Sequence, residues 1–97
     1  MEKEDPARDS VLSASEHVLV RKAGDETVLL DLRTEHYYGL AGVGARFWEL
    51  VETRTTFGDA VDVLRSEYDV AAETLTADLV TLATDLRDNG LLLIDGS

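Results

Sequence analysis

Thr27-Val28-Leu29-Leu30-Asp31-Leu32, then Arg33-Thr34-Glu35, then His36-Tyr37-Tyr38-Gly39-Leu40 is the stretch whose reading decides the fold. The first run is rich in Val and Leu and about six residues long. The last is aromatic and ends near a glycine. Both compositions favour extended chain, and the polar triplet between them reads as a tight connection. Upstream, His17 to Lys22 centres on Val18, Leu19 and Val20 and reads as another strand. Ala23-Gly24-Asp25-Glu26 joins it to the first run as a turn, with Gly24 free to adopt positive φ. Three short strands with short connections predict an antiparallel meander, with Thr27 to Leu32 in the centre and His36 to Leu40 at an edge.

Downstream, the period changes from two to about 3.6. Gly39 to Gly44 breaks the sheet, and Val43, Phe47, Leu50 and Val51 mark the core face of a first helix running to about Glu52. Trp48 lies to one side of that stripe, where it either seals the helix against the sheet or shows partly at the surface. Thr56 offers a hydroxyl cap to a second helix, with Asp59 in its first turn and Phe57, Ala60, Val61, Leu64 and Tyr68 on its apolar face. A third helix spans about Ala72 to Asn89, with Leu75, Leu79, Leu82 and Leu86 in one stripe and Gly90 as its stop. Leu91 to Ile94 is a last strand. The segment before the meander, residues 1–16, is charged and Ser-rich, holds the only proline and has no sustained apolar period. It is expected to be a mobile tail in front of a domain over residues 17–97. The predicted class is α+β: a winged helix-turn-helix with an N-terminal three-stranded antiparallel sheet followed by three helices.

With 97 residues, a single domain and one modest core are expected. Twenty acidic against nine basic residues give a formal charge of −11, which repels phosphate backbones and anionic membranes and favours neutral or basic partners. The same acidity also serves solubility alone. The absence of cysteine excludes disulfides and thiolate chemistry and fits a cytoplasmic protein. No segment reaches the ~18 apolar residues of a membrane span, and the N-terminus lacks a secretory h-region. The two histidines, His17 and His36, stand in no metal-binding pattern, and the glycines at 39, 42 and 44 precede no Lys-Ser/Thr pair. Neither an enzyme nor a cofactor is expected. A DNA-reading third helix would need bases and amides on its outer face. Here that face carries Glu73, Asp78, Asp85 and Asp88 against Arg87.

Peptide capture fits better. At 100° per residue, Thr74, Asp78, Thr81 and Asp85 fall in one line beside the leucine stripe, at the rim of any groove flanking the third helix. A plain solvated face gives the same pattern. Edge strands are usually blunted by charge or proline, yet this one is aromatic and open beyond Glu35 and His36. An extended peptide can add to such an edge. Tyr37 and Tyr38 point to opposite faces, so one packs inward and the other is available to a groove, unless both serve packing alone.

The ordered set Leu29-Leu30-Asp31-Leu32-Arg33-Thr34, Tyr37-Tyr38-Gly39-Leu40, Gly44, Phe47-Trp48-Glu49-Leu50, Tyr68-Asp69-Val70, Ala77-Asp78-Leu79 with Leu82 and Leu86, and Asn89-Gly90-Leu91-Leu92 resembles the PqqD-like family. Its members are recognition elements for precursors of ribosomally synthesised, post-translationally modified peptides. The resemblance covers about Val18 to Ile94 and is strongest to free-standing members of lasso-peptide gene clusters. It implies a non-catalytic protein that holds the precursor's leader peptide and presents it to a cysteine-protease-type leader peptidase, with an ATP-dependent macrolactam synthetase acting afterwards. It implies strand addition to the third strand, in the cleft beside the third helix. The residues that map there are Leu32, Glu35, His36, Tyr37, Tyr38 and Gly39 from the strand side, and Thr74, Asp78, Thr81, Leu82 and Asp85 from the helix. Two positions depart from the family: Glu35 stands where many relatives have Gly, and Ala71 where many have a capping Asp or Ser. The competing expectation is an acidic winged-helix adaptor that binds a protein partner or, less in keeping with its charge, DNA.

Overall fold

In the computed structural model, which describes residues 5–95, the chain runs β1 (Val11–Ala14), β2 (Val18–Ala23), β3 (Glu26–Asp31), β4 (Tyr37–Ala41), α1 (Val43–Glu52), β5 (Thr55–Thr56), α2 (Phe57–Glu67), α3 (Ala72–Asp88) and β6 (Leu92–Asp95). This is a mixed α+β fold with antiparallel sheets and three helices. The meander forms as read, in the order β2-β3-β4, with β3 in the centre. Its register pairs Leu19 with Leu30 and Leu30 with Tyr37, and Leu29 with Tyr38.

A second sheet, β5-β1-β6, was not expected. Its central strand lies inside the segment read as a mobile tail, and that reading is corrected here for the described part; residues 1–4 lie outside the described residues. Val11 to Ala14 pairs with Leu92 to Asp95 on one side and with Thr55 and Thr56 on the other. Leu12 is fully buried. The segment before it is also tied down: Phe57 N–H donates to Ser10 O at 2.8 Å and Gly58 N–H to Arg8 O at 2.9 Å. The segment is short and polar, and its stability comes from partners some 40 and 80 positions away. Local periodicity cannot report such partners.

The second sheet also explains Trp48. Helix α1 packs against both β1 and β4 as well as α2, so its buried face is broader than one stripe. Ala45, Phe47, Trp48 and Val51 are buried, and of the two expectations for Trp48 the sealing one holds, with the side chain wholly in the core. Val43 and Leu50 are half-buried at its margin. The Thr56 hydroxyl caps α2 by accepting from Asp59 N–H at 3.2 Å. Ala71 supplies no side-chain cap to α3. Gly90 follows the helix with φ 76°.

The turn between β3 and β4 holds Glu35 at φ 61°, a left-handed conformation that costs a residue with a Cβ about 1–2 kcal/mol. Glu35 N–H donates to Asp31 O and Asp31 N–H to His36 O, so the turn is closed despite that cost. Glu35→Gly is expected to raise stability by about 0.5–1 kcal/mol, part of the strain being offset by glycine's greater entropy in the unfolded chain. That corresponds to about 2–6 °C in a thermal melt. A lower Tm would mean that the side chain contributes more than the conformation costs.

Candidate functional site

The Asp31–His36 hydrogen bond sets the phase of the β3–β4 ladder. In an antiparallel pair, hydrogen-bonded and non-bonded residues alternate. With Leu29 opposite Tyr38 and Thr27 opposite Leu40, the main-chain groups of Tyr38 and Leu40 point to β3. Those of Tyr37, Gly39 and Ala41 point the other way. Among the described residues, no strand pairs with that side of β4. The edge therefore offers alternating donors and acceptors over five residues, about 17 Å.

Side chains alternate with the opposite sense. Tyr38 and Leu40 face inward, and Tyr37 faces out. Tyr38 crosses to α3, where its hydroxyl donates to Asp85 Oδ2. Burial and that carboxylate together push the Tyr38 phenol up to about 12, so it stays a proton donor at any physiological pH. Further along, Leu40 and Leu82 reach the same spot above Gly44 of α1: a Cβ on Gly44 would lie 3.6 Å from Cδ2 of each. The candidate groove is the space between the β4 edge and α3, bridged by Tyr38–Asp85 and approached from beneath by Leu40 and Leu82 over Gly44. Thr74, Asp78, Thr81 and Asp85 are all exposed on α3. The line from Thr74 to Asp85 runs about 16 Å along the helix axis, matching the length of β4.

The C-terminal end of α3 is fastened to the meander by a polar cluster. Asp31, nearly fully buried, accepts from Arg33 N–H at 2.9 Å and from the Arg33 guanidinium at 3.3 Å and 3.2 Å. These bonds hold its carboxyl down to about 2 against the opposing effect of burial. The Arg33 guanidinium lies over Gly90, where a Cβ would fall 2.4 Å from Nη2. His17 Nε2 bonds Gly90 O at 2.7 Å. The side-chain-free Gly90 therefore lets the turn dock on the helix end. A hollow of about 230 Å³ opens beside this junction, lined by Arg33, Thr34, His36, Tyr38, Asp88 and Asn89 among others.

The residues singled out from the sequence thus separate into three places. Tyr38 and Asp85 meet directly, Leu82 lies with Leu40 over Gly44, and Thr74, Asp78 and Thr81 stand exposed along α3. His36 lies at its end, in the turn rather than in the strand. Leu32, Glu35 and Tyr37 line a separate hollow of about 450 Å³ that Leu30 completes, and Tyr37 also borders the hollow at the end of α3. Gly39 is in the edge itself. Leu40 and Gly44, which border the candidate groove, were not among the residues singled out, although Leu40 shares the parity of Tyr38. Among the described residues no cluster of His, Cys, Asp or Glu could hold a metal ion, and no helix is long and apolar enough to cross a membrane.

Residues 26–92 match the family model described as coenzyme PQQ synthesis protein D (PqqD). The chain belongs to the PqqD family. Two solved structures have the same fold as this PqqD-family chain. One is TbiB1 in complex with the TbiA(beta) leader peptide, 36% identical, with a TM-score of 0.78 over 82% of this chain and 93% of that one. The other is a lasso peptide synthetase B1 complexed with the leader peptide, 27% identical, with a TM-score of 0.76 over 84% and 96% of the two chains. No curated protein matches the sequence. The matched span of the PqqD model begins at Glu26 and so includes the whole of β3, β4 and the three helices.

Proposed function

We propose that this protein binds the leader of a ribosomally made precursor peptide, most plainly a lasso-peptide precursor, as an added strand on β4. The observation that carries this reading is the open main-chain edge of Tyr37, Gly39 and Ala41 beside α3, in a chain 36% identical to a protein solved with a leader peptide bound. Backbone pairing supplies affinity, and side chains of one parity enter the groove over Leu82 and Leu40. Tyr38, Asp78 and Asp85 give that groove its polar rim. The role is one of holding and presenting, without chemistry of its own, to a cysteine-protease-type leader peptidase and then to the macrolactam synthetase. Such work belongs in the cytoplasm, and the lack of cysteine agrees with that. In winged-helix terms, α2 and α3 take the place of the helix pair, and the β1–β6 ladder that of the wing. The acidic outer face of α3 favours a peptide over DNA as its ligand.

Fluorescence polarisation tests the proposal, using a labelled leader from the precursor gene beside this protein's own. Saturable binding at micromolar concentration or tighter, lost on scrambling the peptide, is the expected result. Tyr38→Ala and Asp78→Arg should each weaken it with the fold intact. Full affinity in both variants would put the groove elsewhere. With Asp78 and Asp85 on the rim and a net charge of −11, the leader is expected to be net basic, and its affinity should fall by about tenfold between low and high salt. An affinity indifferent to salt would remove the electrostatic part.

A further inference from the structure

We propose that the outer face of the meander is a second side-chain subsite for the same peptide, in which a large apolar leader residue seats over Gly39 and against Tyr37. The inference rests on the strand-addition reading above and assigns the half of the peptide that faces away from α3.

A strand added to β4 presents every second side chain to each face of the sheet. The main-chain groups that would bond it belong to Tyr37, Gly39 and Ala41. In an antiparallel pair, directly opposed residues share a face. The peptide residues opposite these three therefore lie on the outer face, which also carries the Tyr37 side chain. That face is not the solvated polar surface expected on a protein of this charge. Leu19, Leu30 and Tyr37 form one row across all three strands, in register, and the row ends at the open edge. Tyr37 is 73% exposed, Leu32 56% and Leu19 43%. The other exposed large hydrophobics among the described residues lie elsewhere, Val70 in the α2–α3 connection and Leu93 on β6. Contiguous apolar exposure of this kind marks a contact surface.

Gly39 gives the subsite its shape. It carries no side chain on this face, and a Cβ there would meet nothing within 4 Å. A glycine in an edge strand leaves bare backbone, and a large side chain on the neighbouring strand covers it well. The residue opposite Gly39 is the one so placed, with Tyr37 as its diagonal neighbour on β4. Leu30, Leu32 and Glu35 bound the hollow on the far side of Tyr37. Glu35 at that rim disfavours an acidic side chain.

The test is a double-mutant cycle by fluorescence polarisation, with the leader of the neighbouring precursor gene and versions carrying alanine at successive positions, against wild type and Tyr37→Ala. One apolar position in the set facing away from α3 is expected to lose about five- to tenfold on alanine substitution in wild type and little in Tyr37→Ala. The positions on either side, facing α3, should lose equally in both proteins. Tyr37→Phe should recover most of the affinity that Tyr37→Ala loses, because the ring carries the contact. A thermal melt of Tyr37→Ala checks that the exposed side chain is not needed for folding. Wild-type binding that Tyr37→Ala leaves intact, or losses that are the same in both proteins at every position, overturns the subsite alone. A wild type that binds no leader overturns the strand-addition reading, and the subsite falls with it.

Discussion

Gly39→Pro is expected to weaken leader binding by at least about thirtyfold, about 2 kcal/mol, in a domain that still folds. The substitution removes the middle donor of the open β4 edge. It also places the ring where the backbone of an added strand would lie. The ladder to β3 keeps its bonds, because those run through Tyr38 and Leu40 on either side. Edge strands are where sheets tolerate proline, and nothing lies within 4 Å of a Cβ at this position. Tyr38, the preceding residue, is already extended, as a residue before proline must be. Polarisation measures the affinity, and circular dichroism melting checks the fold. Binding at wild-type strength in a folded Gly39→Pro protein would mean that the peptide does not pair with β4. The groove would then have to act through side chains alone.

Removing residues 1–16 is expected to abolish cooperative folding. The deletion takes β1 out of the middle of the β5-β1-β6 sheet and so strips both neighbours of their partner. It also removes Leu12, which is fully buried; loss of such a side chain alone costs about 2–5 kcal/mol. A domain of this size has about 5–15 kcal/mol in total. Its anchoring bonds go too, including that from Ser15 N–H to Leu91 O at 3.1 Å. Urea denaturation followed by circular dichroism should show a sloping, uncooperative profile in place of a sigmoid. A sharp transition at the unaltered midpoint would mean that the second sheet contributes nothing to stability. Because the truncation leaves every groove residue in the chain, leader binding by the shortened protein would also show how far the meander and α3 hold together unaided.

The two predictions touch opposite ends of what could be read from the sequence. The meander, the first helix and the Thr56 cap came from short-range signals: alternation, a change of period and a hydroxyl at the right offset. Each observed element lies within a residue or two of its expected position. The Glu35 conformation was also legible, as the position where many relatives carry glycine, and φ 61° is its physical reason. The second sheet was not legible. Its central strand, Val11-Leu12-Ser13-Ala14, has one large buried residue, and both of its partners are remote in sequence. The same gap left the place of Trp48 open between core and surface, because a helix enclosed from two sides buries more than one stripe.

For the candidate site, periodicity placed Thr74, Asp78, Thr81 and Asp85 on one exposed line of α3, as the structure has them, while the strand-side residues are divided between two hollows. Leu32, Glu35 and Tyr37 were placed with the groove by the family resemblance, which maps the strand side as a whole. Parity in a sheet sends Tyr37 to the other face, and Leu32 and Glu35 share a hollow with it. That Tyr38 rather than Tyr37 meets α3 depends on the phase of the ladder. A single backbone bond sets that phase, and the residue types do not reveal it.

The pairing of Val11 with Asp95 has a practical corollary. Antiparallel neighbours bring the first and last strands of the fold side by side, about 5 Å apart across the ladder, and ahead of β1 the chain continues past Ser10 and Arg8 along the start of α2. A polypeptide built this way behaves as a cassette. Spliced through linkers into a surface loop of a larger protein, with the tied segment from Pro6 onward kept, it would add a peptide-gripping module without prying the host far open. The β4 edge belongs to the other sheet, so the splice would not cap it.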